Sequence, residues 1–495
     1  MPVANFHSAQ ARAALSDPLQ PYQPNAAMPW NEQRVAHLYR RLGFGATYEQ
    51  IQQGLQMSPS DLIDQLLDTA ADLGAPDPPY WGGWTLNEYE NNADPDLKFT
   101  HRDELRRRWL REMLDEGVRA KMAFFWHNHF VTELQVYDCN AFLWNYFSLI
   151  HEYAFGNFRV FTREMGKTGA MLSYLNGNQN VAGEPNENYA RELMELFTMG
   201  ESNGYTQADI VEMARALTGW RASDYYCQPP YFDPDRHDST PKTIFGQTAN
   251  YNYTTAHNLV FSERAEQVSH FISGKLYRHF LYPTIHVEAV NTMAQTFANS
   301  NWELLPVIKQ LVKSEHFFEE RFMAAQIKSP VEAMLQIWKS AGVNGADTTD
   351  NWLDNFSYWS YQLGQELFNP PNVAGWKGHH NWLNESTLTG RWEYCTRIAG
   401  YIGNDDVLKE RLRTLALQLS AESADPAIIT SALISHFSGQ GLDPVFFQAA
   451  VLNFKSGIPD NYYDDGSWNL YWDEAPDQII NLLNYLVRLP EFQLT

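Results

Sequence analysis

The chain is poor in cysteine, short of cations and free of long apolar runs, and each shortage removes a class of protein. Its 495 residues hold three cysteines, Cys139, Cys227 and Cys395, which are odd in number, far apart and form no CxxC pair. Neither a thiolate zinc site nor a disulfide framework is expected from that pattern. Lys and Arg number 36 against 59 Asp and Glu, for a net charge of −23. Such a surface disfavours nucleic acid, because nothing on it would release counterions from a phosphate backbone. It equally disfavours anionic membrane surfaces. No run reaches the roughly 20 apolar residues of a membrane helix. The first thirty residues lack a continuous apolar segment, so no secretory leader is expected, which favours the cytoplasm. The GxSxG elbow, HExxH, Walker loop and GxGxxG are all missing.

What is present describes a soluble globular protein: 44% hydrophobic residues, 19% charged and 14% aromatic. Apolar residues recur at helical spacing through most of the chain, and strands do not alternate with helices. The expected fold is mainly α, a multi-helical body with long aromatic and polar loops and at most a short β-hairpin. Residues 1–29 read as a tail that drapes over one unit spanning 30–495. Loop excursions interrupt that unit near 75–96, 222–256 and 369–384. Loops this long inside a compact domain are often functional. Helix starts are well marked. Ser58-Pro59-Ser60-Asp61 supplies a cap, a first-turn proline and an acid, and Ser329-Pro330-Val331-Glu332 forms a capping box.

The stretch from Asn186 to Trp220 carries two amphipathic helices, the first ending at Gly200 and the second opening at Thr206 with Asp209. On the first, Glu187, Asn188, Arg191, Glu192 and Glu195 fall within roughly 140° of one another. Two readings stay open. Glu187, Arg191 and Glu195 lie four residues apart, a spacing that stabilises a helix by roughly 0.2–0.5 kcal/mol per pair and suits a surface ladder. Alternatively the carboxylates line a cleft as metal ligands or as general acid and base, each perturbing the other's proton affinity.

Trp126-His127-Asn128-His129-Phe130 closes an apolar run. Paired imidazoles invite a divalent metal. On a continuous helix, however, positions two apart are about 200° apart and cannot share one ion. His127 and His129 are therefore metal candidates, structural buried histidines or an acid–base pair. His237 and Asp238, in the second excursion, are a third candidate pair, with turn chemistry as the bland alternative. In the third loop, His379 sits among Trp376, Lys377 and Trp382, a cluster that faces either solvent or a ligand. Loop aromatics can stack on sugar rings, although they more often staple a loop to the body.

At these phrases the chain resembles the bacterial domain-of-unknown-function family numbered 1800. The resemblance rests on HLYRRLGFGAT from His37, FFWHNHF from Phe124, NENYARELMELFTMG from Asn186 and GYTQADIVEMARALTGW from Gly204. It continues through the His237-Asp238 loop, KSPVE from Lys328, NPPNVAGWKGHHNWLN from Asn369 and the ending LPEFQ. It implies one continuous helical unit and supplies no catalytic residues. It also implies that relatives are often exported, and that many are encoded beside a family numbered 1501 that resembles alkaline phosphatases and sulfatases. A protein of that kind is thus an expected partner, and a periplasmic location competes with the cytoplasmic one.

Two functions follow as expectations. One is a metal-assisted hydrolase or oxidoreductase: His127, His129 and His237 would hold a divalent metal ion, while Glu187, Glu192, Glu195 and Asp238 would supply bases and Arg191 would hold an anionic group. The other is a non-catalytic helical scaffold or binding module acting with a partner protein.

Overall fold

The computed structural model describes residues 17–223 and 226–495. Helices dominate, at 61% of the described residues, and the only sheets among those residues are two antiparallel ribbons of two strands. Both lie in the second excursion, pairing Trp220–Ser223 with Gln228–Phe232 and Lys242–Ile244 with Gln247–Ala249. The single short hairpin expected there is thus two. No helix among the described residues is long and apolar enough to cross a membrane.

The helices begin where the sequence marks them. The Ser58 side chain accepts from the Asp61 N–H ahead of Pro59–Asp72. Thr206 with Asp209 and Ser329 with Glu332 form complete capping boxes on Gln207–Ala216 and Pro330–Ser340. Each cap satisfies N–H groups that the first turn leaves orphaned, at a typical gain of about 1 kcal/mol.

Helix ends are closed differently, by buried basic side chains from distant segments. Arg40 donates to the His436 carbonyl at 2.8 Å, in the last turn of Pro426–Ser438. Lys339 donates to the Leu114 carbonyl at 2.6 Å, near the end of Leu97–Asp115. His436 in turn donates to Ser340 at 2.8 Å, and Lys328 donates to the Phe492 carbonyl. A helix C-terminus presents unpaired carbonyls and partial negative charge, so a cation there satisfies both. This gives a structural role to Arg40 in the HLYRR phrase and to Lys328 in KSPVE.

One aromatic core fills the body. Trp109, Trp126, Trp338, Phe130 and Tyr146 are almost wholly buried. Trp81, from the first excursion, stacks on His101 with ring centroids 5.1 Å apart, and Tyr80 and Tyr89 hydrogen-bond the two nitrogens of that imidazole. Those loop aromatics staple the excursion to the body. Within the 1–29 tail, residues 1–16 lie outside the described residues. Leu19, Tyr22 and Met28 are buried, and the Tyr22 N–H donates to Lys313 O at 2.8 Å.

Cys139 and Cys227 form a disulfide, with Cα atoms 5.7 Å apart and a separation of 88 positions in sequence. No disulfide framework was expected, and this single pair is what the structure adds. The odd count reflects Cys395, a free and buried thiol. Sequence spacing does not reveal such a pair, because the second excursion must first fold back onto the helix that begins at Asn140.

Candidate functional site

The FFWHNHF phrase forms the end of the Val118–His129 helix, and its three polar residues each fasten a different segment. His127 Nε2 accepts from the Phe368 N–H at 3.1 Å. Its Nδ1 therefore carries the proton and donates to the Tyr146 hydroxyl at 2.8 Å. Burial pushes the ring's pKa down to about 3, so it stays neutral. Asn128 clamps the third loop: Oδ1 accepts from the Trp376 N–H at 2.6 Å and Nδ2 donates to the Trp376 carbonyl at 3.1 Å. Gly375 makes that approach possible, since its φ is +76° and a Cβ there would sit 2.3 Å from Asn128 Oδ1. His129 points elsewhere, as the 200° offset requires. Its Nε2 donates to the Phe197 carbonyl at 3.1 Å, and its Nδ1 accepts from the Lys275 ammonium at 3.0 Å.

The Phe197 carbonyl is available because it lies in the last turn of its helix, whose final carbonyls have no intrahelical partner, and that helix also changes pitch. Asn188–Glu192 is α-helical, but Leu193–Thr198 winds as a π-helix. The expectation of one regular helix to Gly200 is corrected there. Wide turns of this kind cluster at functional positions. Here the last turn presents Leu196 O and Phe197 O to side chains, and Lys275 Nζ lies 3.4 Å from Leu196 O.

These contacts wall a cavity of about 420 Å³ between Val118–His129, Ala265–Phe280, the chain around Ser329 and the third loop. Its cations are Lys275, Arg278 and Lys377, and none of the three pairs with a carboxylate among the described residues. Glu332 also reaches the wall, but Lys121 neutralises it. Burial, with Arg278 adding repulsion, lowers the Lys275 pKa to about 8. Phe124, Phe125, Trp376 and Trp382 supply the apolar surface. Three polar atoms at this wall are buried without a partner among the described residues: His279 Nε2, Trp376 Nε1 and His379 Nδ1. Native proteins leave few such groups. His379 also adopts φ +50°, a left-handed conformation uncommon for a residue other than glycine.

Of the residues singled out from sequence, His129, Trp376, His379 and Trp382 meet at this cavity, and the ring of His127 packs behind Trp376 at 5.5 Å. The acidic arc does not reach it. Arg191 bridges Glu187 at 2.9 Å and Glu195 at 3.3 Å, and Gln207 donates to Glu187 at 2.7 Å. These pairs are a partly exposed ladder, of the kind worth about 0.3–0.5 kcal/mol each. Glu192 is half-buried; burial and the Glu195 charge raise its pKa. Asp238 pairs with Arg215 at 2.8 Å. Burial alone would raise its carboxyl, but hydrogen bonds from Thr240 and Arg215 hold it down to about 2. His237 is held by the Thr218 carbonyl at 3.0 Å.

Among the described residues no group of three His, Cys, Asp or Glu side chains is placed to share an ion. Both nitrogens of His127 and of His129 are committed to other partners, and an ammonium group abuts His129.

Sequence reasoning missed Lys275, Arg278 and His279. Their signal was modest: three basic groups at helical spacing on one amphipathic helix of an acidic chain.

A family model described as "Protein of unknown function (DUF1800)" matches residues 37–494. No curated protein and no solved structure matches the chain.

Proposed function

Because the chain belongs to a family described only as of unknown function, no activity comes to it by kinship, and we propose from geometry that it recognises a small anionic molecule in the Lys275 cavity. The observation that carries this reading is the set of three cations without carboxylate partners, gathered at one concave site of a chain whose net charge is −23. A low-dielectric cleft of one sign focuses its field and concentrates the opposite charge from solution. Lys275 and Arg278 stand on one helix and Lys377 on the loop across from it, so an anionic group between them meets donors from two sides. Charge-assisted hydrogen bonds of that kind are roughly twice as strong as neutral ones. The aromatic wall suits the remainder of the ligand, whether a flat apolar body or a sugar ring.

The reading gives each named residue a task. Asn128 and His127 hold the loop that carries Trp376, Lys377 and His379. His129 orients Lys275. The unpartnered Trp376 Nε1 offers a donor, and His279 and His379 offer nitrogens able to donate or accept. No step is assigned to a metal.

The Cys139–Cys227 pair supports an exported or periplasmic location over the cytoplasmic one, because disulfides persist in oxidising compartments.

Thermal-shift measurements on matched pairs test the ligand class: glucuronate against glucose, and citrate against glycerol. The anion of each pair should raise the Tm, and Arg278→Ala with Lys377→Ala should abolish the difference. Equal shifts from anion and neutral partner would overturn the reading.

A further inference from the structure

The Lys275 amine is oriented as well as exposed to the cavity, and the cavity is built to hold an anion beside it. We propose that Lys275 forms an imine with small anionic carbonyl compounds, such as 2-oxo acids, so that this cavity is a reaction site as well as a binding one. The inference rests on the anion-binding reading above and names the substrate class and the reactive atom.

The geometry is specific. Lys275 Nζ meets two acceptors of the protein, His129 Nδ1 at 3.0 Å and Leu196 O at 3.4 Å. A tetrahedral nitrogen with one bond to Cε and two N–H groups so committed has one direction left; the Phe271 ring bounds it on one side, with its centroid 4.9 Å from Nζ, and the residue lines the cavity. In the neutral amine that direction holds the lone pair. His129 cannot compete for it. Its Nε2 proton is held by the Phe197 carbonyl at 3.1 Å, which leaves Nδ1 as an acceptor only. The imidazole therefore fixes the amine without consuming its nucleophilic electrons. Burial next to Arg278 also favours the uncharged form.

Two further cations complete the arrangement. Arg278 lies three residues along the same helix, and Lys377 comes from the third loop. Both are free of carboxylate partners among the described residues, so a substrate carboxylate has donors beside the amine. Glu332 does not oppose it, being neutralised by Lys121.

The reaction balances without an added oxidant or reductant. The Nζ lone pair attacks the carbonyl carbon, a C–N bond forms, and the π electrons pass to oxygen. A proton moves from nitrogen to that oxygen through solvent, giving a carbinolamine. Loss of water then leaves a C=N bond, so amine and carbonyl compound yield imine and water.

The test uses the full chain with pyruvate and sodium cyanoborohydride, which reduces an imine to a stable secondary amine, followed by peptide mass spectrometry. The adduct should accumulate on Lys275 faster than on any other lysine, including Lys377. Propanal, which lacks the carboxylate, should show no such preference. Lys275→Arg should lose the dominant adduct. Calorimetry with lactate, the alcohol counterpart of pyruvate, runs in parallel on both proteins and reports whether the cavity still binds an anion. If lactate binds but pyruvate modifies lysines indiscriminately, the imine is refuted and the anion pocket stands. If lactate does not bind and the labelling is indiscriminate, both readings fall. Preferential labelling of Lys275 by propanal as well would overturn the assignment of anionic substrates.

Discussion

Asn128 is the residue whose removal most sharply tests how the cavity is built. Its amide makes two hydrogen bonds to the backbone of one residue, Trp376, at 2.6 and 3.1 Å. Through that clamp it holds Trp376, Lys377, His379 and Trp382 against the Val118–His129 helix. Asn128→Ala removes both bonds, each worth about 0.5–1.5 kcal/mol net, and leaves an N–H and a carbonyl with no partner in the protein. Water from the adjoining cavity reaches part of that gap, so the full penalty of about 1–3 kcal/mol per stranded group does not apply twice. The expected loss is about 2–4 kcal/mol. If the loop opens before the body unfolds, that opening limits the loss seen globally. Two measurements separate these cases. Urea unfolding followed by tryptophan fluorescence gives the global loss as a lower midpoint at unchanged slope. Amide exchange at Trp376 gives the local one, as faster exchange without global unfolding. Asn128→Asp is the sharper control: it keeps the acceptor for the Trp376 N–H but sets an oxygen against the Trp376 carbonyl. It should lie between wild type and Asn128→Ala in local exchange. A loss below about 0.5 kcal/mol in Asn128→Ala, with Trp376 exchange unchanged, would refute the clamp.

Acid sensitivity should trace in part to Glu332. Burial alone would raise its carboxyl, but the Lys121 ammonium and the Ser329 N–H outweigh burial and hold it below the usual range. A depressed carboxylate stabilises the fold above its unfolded pKa of about 4.3, and that contribution fades as pH falls below it. The acid limb of a stability–pH curve should therefore be shallower in Glu332→Gln, and identical limbs would contradict the assignment. Compartment is checked by alkylating freshly opened cells before reduction: only Cys395 should be free, and only after denaturation, whereas three tagged cysteines would place the protein in a reducing compartment.

Local signals made much of the fold legible. The caps at Ser58, Thr206 and Ser329 are visible in four-residue windows, and each sits at a helix start. The same arithmetic that separates positions two apart by 200° foretells that His127 and His129 face different neighbours. Long-range assembly was not legible. Lys275 meets His129 across 146 residues, and periodicity identifies which helix faces are apolar without identifying which cation a loop will meet. The acidic arc was conspicuous because its charges are local in sequence. That locality lets Glu187, Arg191 and Glu195 satisfy one another, which leaves them on a ladder away from the cavity. The cavity cations lack such neighbours. The π-helix at Leu193–Thr198 was hidden for a related reason: its sequence is a good helix former, and nothing local in it separates one winding from the other.

The central claim is that an acidic protein keeps a cationic cavity for an anionic guest. Crystals soaked in selenate, read by anomalous diffraction, test it most directly. The account predicts a peak within hydrogen-bonding distance of Lys275, Arg278 or Lys377, lost in the Arg278→Ala, Lys377→Ala double variant. Selenate bound only elsewhere, with this cavity free of it, would contradict the account.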